Sequence, residues 1–495
     1  MATLYDPRFE HDACGIGFVA RLAGPPTHEI VQLALGALGS LQHRGAVAAD
    51  GLSGDGAGLL TTLPRPLLAR ELAARNLAAD PNRIAVGMLF LPVAAPDAAR
   101  QIVHDALTWR GLTVLGWRDV PLDHGQLGPI AAASCPVISQ VLVDRPLDCA
   151  DDTFERDLYR ARKRAERQAA AANVDLYIAS LSCRTIVYKG LMLPNRLAAF
   201  YHDLADPDYT ASAAVYHQRY STNTFPTWSR AQPFRVVSHN GEINTLAGNA
   251  TWMRAREPHL KSALLGDLRE LLPIIDTTGS DSAQFDNVLE LLVRGGRDVR
   301  HAMLMMMPEA WEHIADLPPA VRDFYEWHAN VMEPWDGPAA MTFCDGRIVG
   351  SALDRNGLRP ARYLVTSDGL VVVGSEIGAA NIPEERIVRK GRLGPGQMIA
   401  VDLERGELLD NATIKAICAA QQPYGAWLGQ KTTLAEIESK EHKAKNIEQS
   451  INQESGIRNR ESGIGNQFLA PSPQPLAWPS SNPRLATRRK GWRWC

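Results

Sequence analysis

The chain has 495 residues, 45% of them hydrophobic and 22% charged, which fits a globular protein large enough for two or three average domains or one large domain with appendages. A formal net charge of −3 gives no electrostatic reason to expect nucleic acid or an anionic membrane as a partner, and no window holds the roughly 18 uninterrupted apolar residues of a membrane span. Seven cysteines, an odd number with no Cys-x-x-Cys pair, exclude a disulfide scaffold and give zinc little support, so a reducing cytoplasm is the simplest compartment.

The N-terminus carries Asp6, Arg8, Glu10, His11 and Asp12, unlike a secretory signal. Cys14–Leu22 then reads as a strand and Ile30–Gln42 as a helix with apolar residues at helical spacing. Ile84–Leu91 is expected to be a strand and Asp97–Trp109 a helix. Phe154–Ala172 reads as a long helix rich in Arg, Lys, Glu and Ala, whose basic face is expected to be solvated surface. Phe234–Val237 reads as a strand that runs into an Asn-Gly step, and Ala283–Leu292 as a helix. Met341–Cys344 and Ile348–Leu353 form a hairpin across Asp345-Gly346; Tyr363–Thr366 and Leu370–Gly374 form another across Ser367-Asp368-Gly369. Antiparallel hairpins mixed with helices predict an α+β layered sandwich in place of a parallel, doubly wound sheet. After Leu428 the composition turns polar, with a near-duplicate (residues 454–460 and 461–467) and a Pro- and Ser-rich, finally basic end. This segment, 429–495, is expected to be a disordered tail; an adhesive role and a non-functional stretch from an interrupted reading frame are its two readings.

Four segments are dense in residues able to do chemistry. Cys14 opens Cys14-Gly15-Ile16-Gly17; a lone cysteine beside a strand is more often a small buried hydrophobe than a nucleophile. Were the leader removed, however, its own α-amino group could act as base and its thiol as nucleophile. His43-Arg44-Gly45 and Gly54-Asp55-Gly56-Ala57-Gly58 lack the spacing of a phosphate or dinucleotide loop, and fit better a loop whose backbone approaches a small ligand. Between His217 and Asn244 the string His239-Asn240-Gly241 offers a side-chain amide and a backbone N–H side by side, which suits an oxyanion site as well as a plain turn. Gly279-Ser280-Asp281-Ser282 reads most simply as a helix N-cap. His217 and His239 have no third partner at metal spacing, so no metal is expected.

Taken in this order, the segments resemble the class II glutamine amidotransferase domain, an N-terminal-nucleophile hydrolase, and within it the glutaminase domain at the front of the glutamate synthase large subunit. The resemblance is carried by Tyr5–Phe18, His43–Gly58, Tyr216–Asn223, Gln232–Asn249, Gly279–Asn287, Phe324–Arg362 and Gln422–Leu428. It is most specific in the strings 239–246, 335–340 and 354–360. It implies a four-layer αββα sandwich of two facing antiparallel sheets flanked by helices, with a propeptide at 1–13 and a glutaminase domain at 14–428. Carried over residue by residue, Cys14 is the nucleophile, and the Asn240 side chain with the Gly241 N–H forms the oxyanion hole. Arg44 and Arg219 line the glutamine pocket, Arg219 pairing with the α-carboxylate and Asp281 with the α-ammonium. Where the family usually places a cysteine, this sequence has Ala46-Val47-Ala48.

The implied substrate is L-glutamine, with a glutamate synthase partner domain or subunit as recipient of the ammonia, and with neither nucleic acid nor membrane involved. No cofactor is expected in this chain: the FMN and iron–sulfur cluster of the family belong to synthase domains whose cysteine cluster and phosphate site this sequence does not contain. On this reading the chain is the glutaminase half of a truncated glutamate synthase. The alternatives are a catalytically silent remnant that acts, if at all, by binding a partner, and an amidase for another amide, which Arg219 and Asp281 disfavour.

Overall fold

The computed structural model describes residues 14–219, 226–376, 378–429, 442–443 and 445–447; the expected leader at 1–13 and nearly all of the expected tail lie outside the described residues. The first strand, β1 (Gly15–Arg21), points Ile16, Phe18 and Ala20 to one buried face and Val19 to the other, the period-two pattern of a strand covered on both sides. It leads into α1 (His28–Ser40), β2 (Ala57–Thr62), α2 (Arg65–Ala74), β3 (Ile84–Leu91) and α3 (Pro96–Trp109). There follow β4 (Thr113–Asp119), α4 (Pro129–Ala133), β5 (Val137–Asp144), α5 (Asp151–Ala171), β6 (Tyr177–Ser182) and β7 (Thr185–Gly190). The middle of the chain forms α6 (Leu197–Phe200), β8 (Ala213–Gln218), β9 (Val237–Gly241), α7 (Leu246–Arg256), α8 (Asp281–Arg294), α9 (Val299–Met306) and α10 (Pro319–Ala329). The two expected hairpins are present as β10 (Ala339–Cys344) with β11 (Ile348–Leu353), and β12 (Arg362–Thr366) with β13 (Leu370–Gly374). Strands β14 (Ile387–Arg392), β15 (Met398–Asp402) and β16 (Glu407–Leu409) and helix α11 (Asn411–Ala419) complete this unit.

Seven strands in the order β14-β12-β13-β1-β8-β2-β7 make one antiparallel sheet, and five in the order β16-β15-β11-β10-β9 make a second. Ile16, Phe18, Leu60 and Val215 from the first meet Ala340, Val349, Ile399 and Val401 from the second in one shared core. Helix α1 covers the outer face of the first sheet, against β1, β2 and β8; α8, α9 and α11 lie against β9, β11 and β15 of the second. This is the expected αββα sandwich. Cys14 belongs to the inter-sheet core, immediately before β1.

Two features depart from the sequence expectations. Strands β4-β5-β3-β6 form a third sheet, with its own core of Val103, Leu107, Phe154 and Leu158 from α3 and α5. Helix α5 is accordingly not a solvated basic rod: Arg162 is buried between Glu166 and Glu290, Arg160 pairs with Glu270, and Lys163 donates to the Pro273 carbonyl at 2.7 Å. The second departure is at β9, which begins at Val237 because the backbone amides of Arg235, Val236 and Val237 turn onto the buried Asp286 carboxylate at 3.3, 2.9 and 3.1 Å. From Pro423 the chain forms a second unit, in which α12 (Tyr424–Leu428) and the helical residues 442–443 and 445–447 are described. No described helix is long and apolar enough to cross a membrane.

Candidate active site

Strand register assembles the first half of the site. Gly15 of β1 and Ala57 of β2 both pair with Gln218 of β8, so one residue further on Cys14, Arg219 and Gly56 stand in a row across three adjacent strands. The Arg219 amide donates to the Gly56 carbonyl at 2.7 Å and holds the row beyond the strand ends. Arg219 has φ +96°, a left-handed backbone that a long side chain adopts only where its surroundings enforce it. Its guanidinium pairs with Asp55 at 3.3 Å, both side chains being buried.

The second half comes from the facing sheet. Asn240 and Gly241 end β9, opposite Ala340 and Ala339 of β10. His217 Nε2 of β8 donates to the His239 carbonyl at 2.9 Å, tying the two sheets together beside the site. Gly241 has φ +135°, and a Cβ there would lie 1.8 Å from the Pro338 carbonyl oxygen, so only glycine fits. The Asn240 side chain is buried, and neither its oxygen nor its nitrogen has a hydrogen-bond partner in the described structure. A primary amide left unpaired in a dry site costs free energy, and its presence points to a ligand that completes it.

The three most specific strings of the sequence interlock around this strand. Gly337 presses on the Glu242 carbonyl, where a Cβ would come within 1.7 Å, and the Thr245 hydroxyl accepts from the Asp336 amide at 2.9 Å. Asp354 accepts from the amides of Ala339, Asn356 and Gly357 at 3.3, 3.0 and 3.1 Å, while Arg355 Nε donates to Asp336 at 3.0 Å. Arg359 Nε donates at 3.2 Å to the Pro338 carbonyl that crowds Gly241. Arg359 lies in the string 354–360, where nothing local marks it out, yet its charge acts on the Cys14 thiol.

Asp281 is the first residue of α8, behind a Ser280 N-cap that accepts from the Ala283 amide. The expected cap is therefore present, and it leaves the Asp281 carboxylate to accept from the Ile243 amide at 3.1 Å and to approach His239 Nδ1 at 3.8 Å. Together with Asp286 it clamps β9 from both ends. Arg44 follows a different course: its guanidinium is ion-paired to Glu376, which also holds His43 Nε2 at 2.8 Å. Tyr220–Asn223 lie outside the described residues.

The electrostatics are those of a closed site. Burial pushes the Cys14 thiol up to about 12, with Arg219 and Arg359 pulling it down and Asp55 and Asp281 pushing it further up. Burial likewise lowers His217 to about 3 and lowers His239, so both rings are neutral at physiological pH. Among the described residues no group of three His, Cys, Asp or Glu could hold a metal ion. The glycines of the loop 54–58 face protein on the side where a Cβ would stand. A Cβ on Gly54 would meet the Met192 carbonyl at 2.4 Å, and one on Gly58 the Gln232 carbonyl at 2.4 Å, so these glycines admit neighbouring chain. A cleft of about 360 Å³ lined by Phe90, Cys135, Tyr177 and Trp228 contains none of the expected site residues.

Among curated proteins, the chain is 49% identical over 434 residues to ferredoxin-dependent glutamate synthase 2 of Synechocystis sp., covering 86% of this chain and 28% of the relative. It is 45% identical over 430 residues to the glutamate synthase [NADPH] large chain of Bacillus subtilis, again 86% of this chain and 28% of that one. The chain thus spans a little over a quarter of the length of these relatives. A solved structure of the allosteric regulatory enzyme of purine biosynthesis aligns over 79% of this chain and 47% of its own, at 15% identity and a TM-score of 0.36. The family model for class II glutamine amidotransferases matches residues 14–427, starting at Cys14 itself, and the chain belongs to that family.

Proposed function

We propose that this chain hydrolyses L-glutamine to L-glutamate and ammonia through a thioester on Cys14, after removal of residues 1–13. The observation that carries the reading is the unpartnered Asn240 amide beside the Gly241 N–H, at the end of β9, which packs against the β1 strand that Cys14 precedes. In the unprocessed chain burial pushes the Cys14 thiol up to about 12, so it is protonated at neutral pH. Processing would place an α-amine, with a reference pKa of about 8, on the same residue to take the thiol proton.

The sulfur then attacks the carboxamide carbon, and the carbonyl oxygen becomes an oxyanion held by Asn240 and the Gly241 N–H. The amine proton passes to the departing nitrogen and ammonia leaves. Water adds to the thioester, the amine again acting as base, and glutamate is released. Arg219 suits the substrate α-carboxylate because its planar fork matches two oxygens; Asp281 suits the α-ammonium. Arg44, ion-paired with Glu376, serves the pocket through that pair. The ammonia would pass to a glutamate synthase partner domain or subunit, as the names of the relatives suggest.

The test is ammonia release from glutamine by purified chain whose intact mass shows that Cys14 is N-terminal. Cys14→Ala should abolish it; processed protein that releases no thiol-dependent ammonia sinks the proposal. While residues 1–13 remain, Cys14 has no free α-amine to act as base, which favours a second reading, in which protein that retains 1–13 is silent. Activity in protein shown by mass to be unprocessed would dismiss it.

A further inference from the structure

Asp55 is a buried charge that the reaction above leaves without a role. It lies two residues before β2, its side chain is 5% exposed, and its Oδ2 is 3.3 Å from Nε of Arg219. Neither carboxylate oxygen makes a well-aligned hydrogen bond in the described structure; the Ala46 amide and the Arg219 guanidinium are what act on its charge. The backbone around the pair is built for close approach. A Cβ on Gly45 would come within 1.6 Å of the Gln218 amide nitrogen and 2.8 Å of Asp55 Oδ1, so the glycine of His43-Arg44-Gly45 lets that turn close over the carboxylate. Gly56, at φ +135°, receives the Arg219 amide, and Arg219 itself is held at φ +96°. The carboxylate therefore draws the guanidinium by charge from its Nε edge, in a space that the surrounding backbone keeps narrow.

We propose that Asp55 is the positioning residue for Arg219, holding the guanidinium beside Cys14 in the orientation that grips the α-carboxylate of glutamine. This rests on the reading of Arg219 as the carboxylate clamp. A carboxylate that merely neutralised a buried arginine would matter to folding; one that aims it must matter to α-amino-acid recognition and leave the thiol intact.

Two thiol reagents separate these cases on the full, processed chain. One is 6-diazo-5-oxo-L-norleucine, a diazoketone with the α-amino acid head of glutamine; the other is iodoacetamide, which has no such head. Asp55→Asn is expected to slow Cys14 alkylation by the diazoketone about tenfold. Iodoacetamide should react at the same rate or faster, since the Asp55 charge raises the thiol pKa. Added to Arg219→Lys, Asp55→Asn should cost less than a further twofold, the signature of two residues acting through one contact. Asp55→Glu, which keeps the charge, should recover part of the diazoketone rate, and it carries the same comparison if Asp55→Asn does not fold. Equal slowing by both reagents, or a full tenfold loss added in the Arg219→Lys background, overturns the proposal. If the unsubstituted chain reacts no faster with the amino-acid diazoketone than with a diazoketone lacking that head, the glutamine reading itself falls, and this inference with it.

Discussion

Gly241 offers the sharpest test of the proposed oxyanion site. In Gly241→Ala the new Cβ would lie 1.8 Å from the Pro338 carbonyl oxygen, 2.9 Å from its carbon and 3.1 Å from Ala339 Cα. These are backbone atoms of the neighbouring strand, pinned by Asp354 and Arg359, so no side chain can swing aside. Either β9 parts from β10 at the Gly241–Ala339 pair or residue 241 leaves φ +135°; both move its N–H away from the place where the oxyanion forms. Strained backbone of this kind costs about 1–3 kcal/mol of stability. Losing one oxyanion donor costs about 3–4 kcal/mol of transition-state stabilisation, or roughly 10²–10³ in kcat. Glutamine hydrolysis by processed protein should show that loss in kcat with KM changed less than about threefold, and iodoacetamide alkylation should show that the thiol survives. Gly248→Ala is the matched control: it lies in α7 with nothing within 4 Å of its Cβ, so it should keep full activity and gain a few tenths to about 1 kcal/mol. Full kcat in Gly241→Ala, with only KM altered, would refute the assignment of its N–H as a donor.

Asn240→Ala should reduce kcat by roughly 10²–10³ without lowering the melting temperature, because it removes a buried amide that has no partner in the protein; a clear loss of stability would mean that the amide is structural. Asp286→Ala leaves three backbone amides at the start of β9 without an acceptor and should cost about 3–5 kcal/mol in urea unfolding; a change under about 1 kcal/mol would dismiss its part in shaping that strand. His217 has its folded pKa lowered by burial from 6.5 to about 3, so its neutral ring contributes stability that is present above about pH 6.5 and lost as pH falls towards 3. His217→Gln, which keeps a donor for the His239 carbonyl but does not titrate, should flatten the acid limb of the stability profile by up to ~1.4 kcal/mol per pH unit; an unchanged slope would show that the ring does not stay neutral.

The elements of the sandwich were legible because strand alternation, Asp-Gly turns and helix caps are local signals. β1, both hairpins, β3, α3 and the Ser280 cap lie where the pattern places them, to within a few residues. The third sheet was not legible, since β4, β5 and β6 alternate like any other strands and their separate pairing depends on what α3 and α5 cover. The basic face of α5 misled for the same reason: Glu290 and the Pro273 carbonyl, which meet it, are more than a hundred residues away in sequence.

Local sequence was enough for the chemical inventory: a thiol ahead of a strand, an Asn-Gly step, an Asp behind a helix cap, two arginines beside glycines or polar residues, and three strings specific enough to mark the family. Tertiary structure alone decided the spatial relations. Cys14, Arg219 and Gly56 become neighbours only through the shared register of β1, β8 and β2 on Gln218, and Asp55 becomes Arg219's counter-charge by the same pairing. Packing also sets Gly54 and Gly58 against neighbouring chain and brings Arg359 to the Pro338 carbonyl beside β9. The physical reason is that side-chain periodicity is written within a strand, whereas register and burial are settled by partners far along the chain.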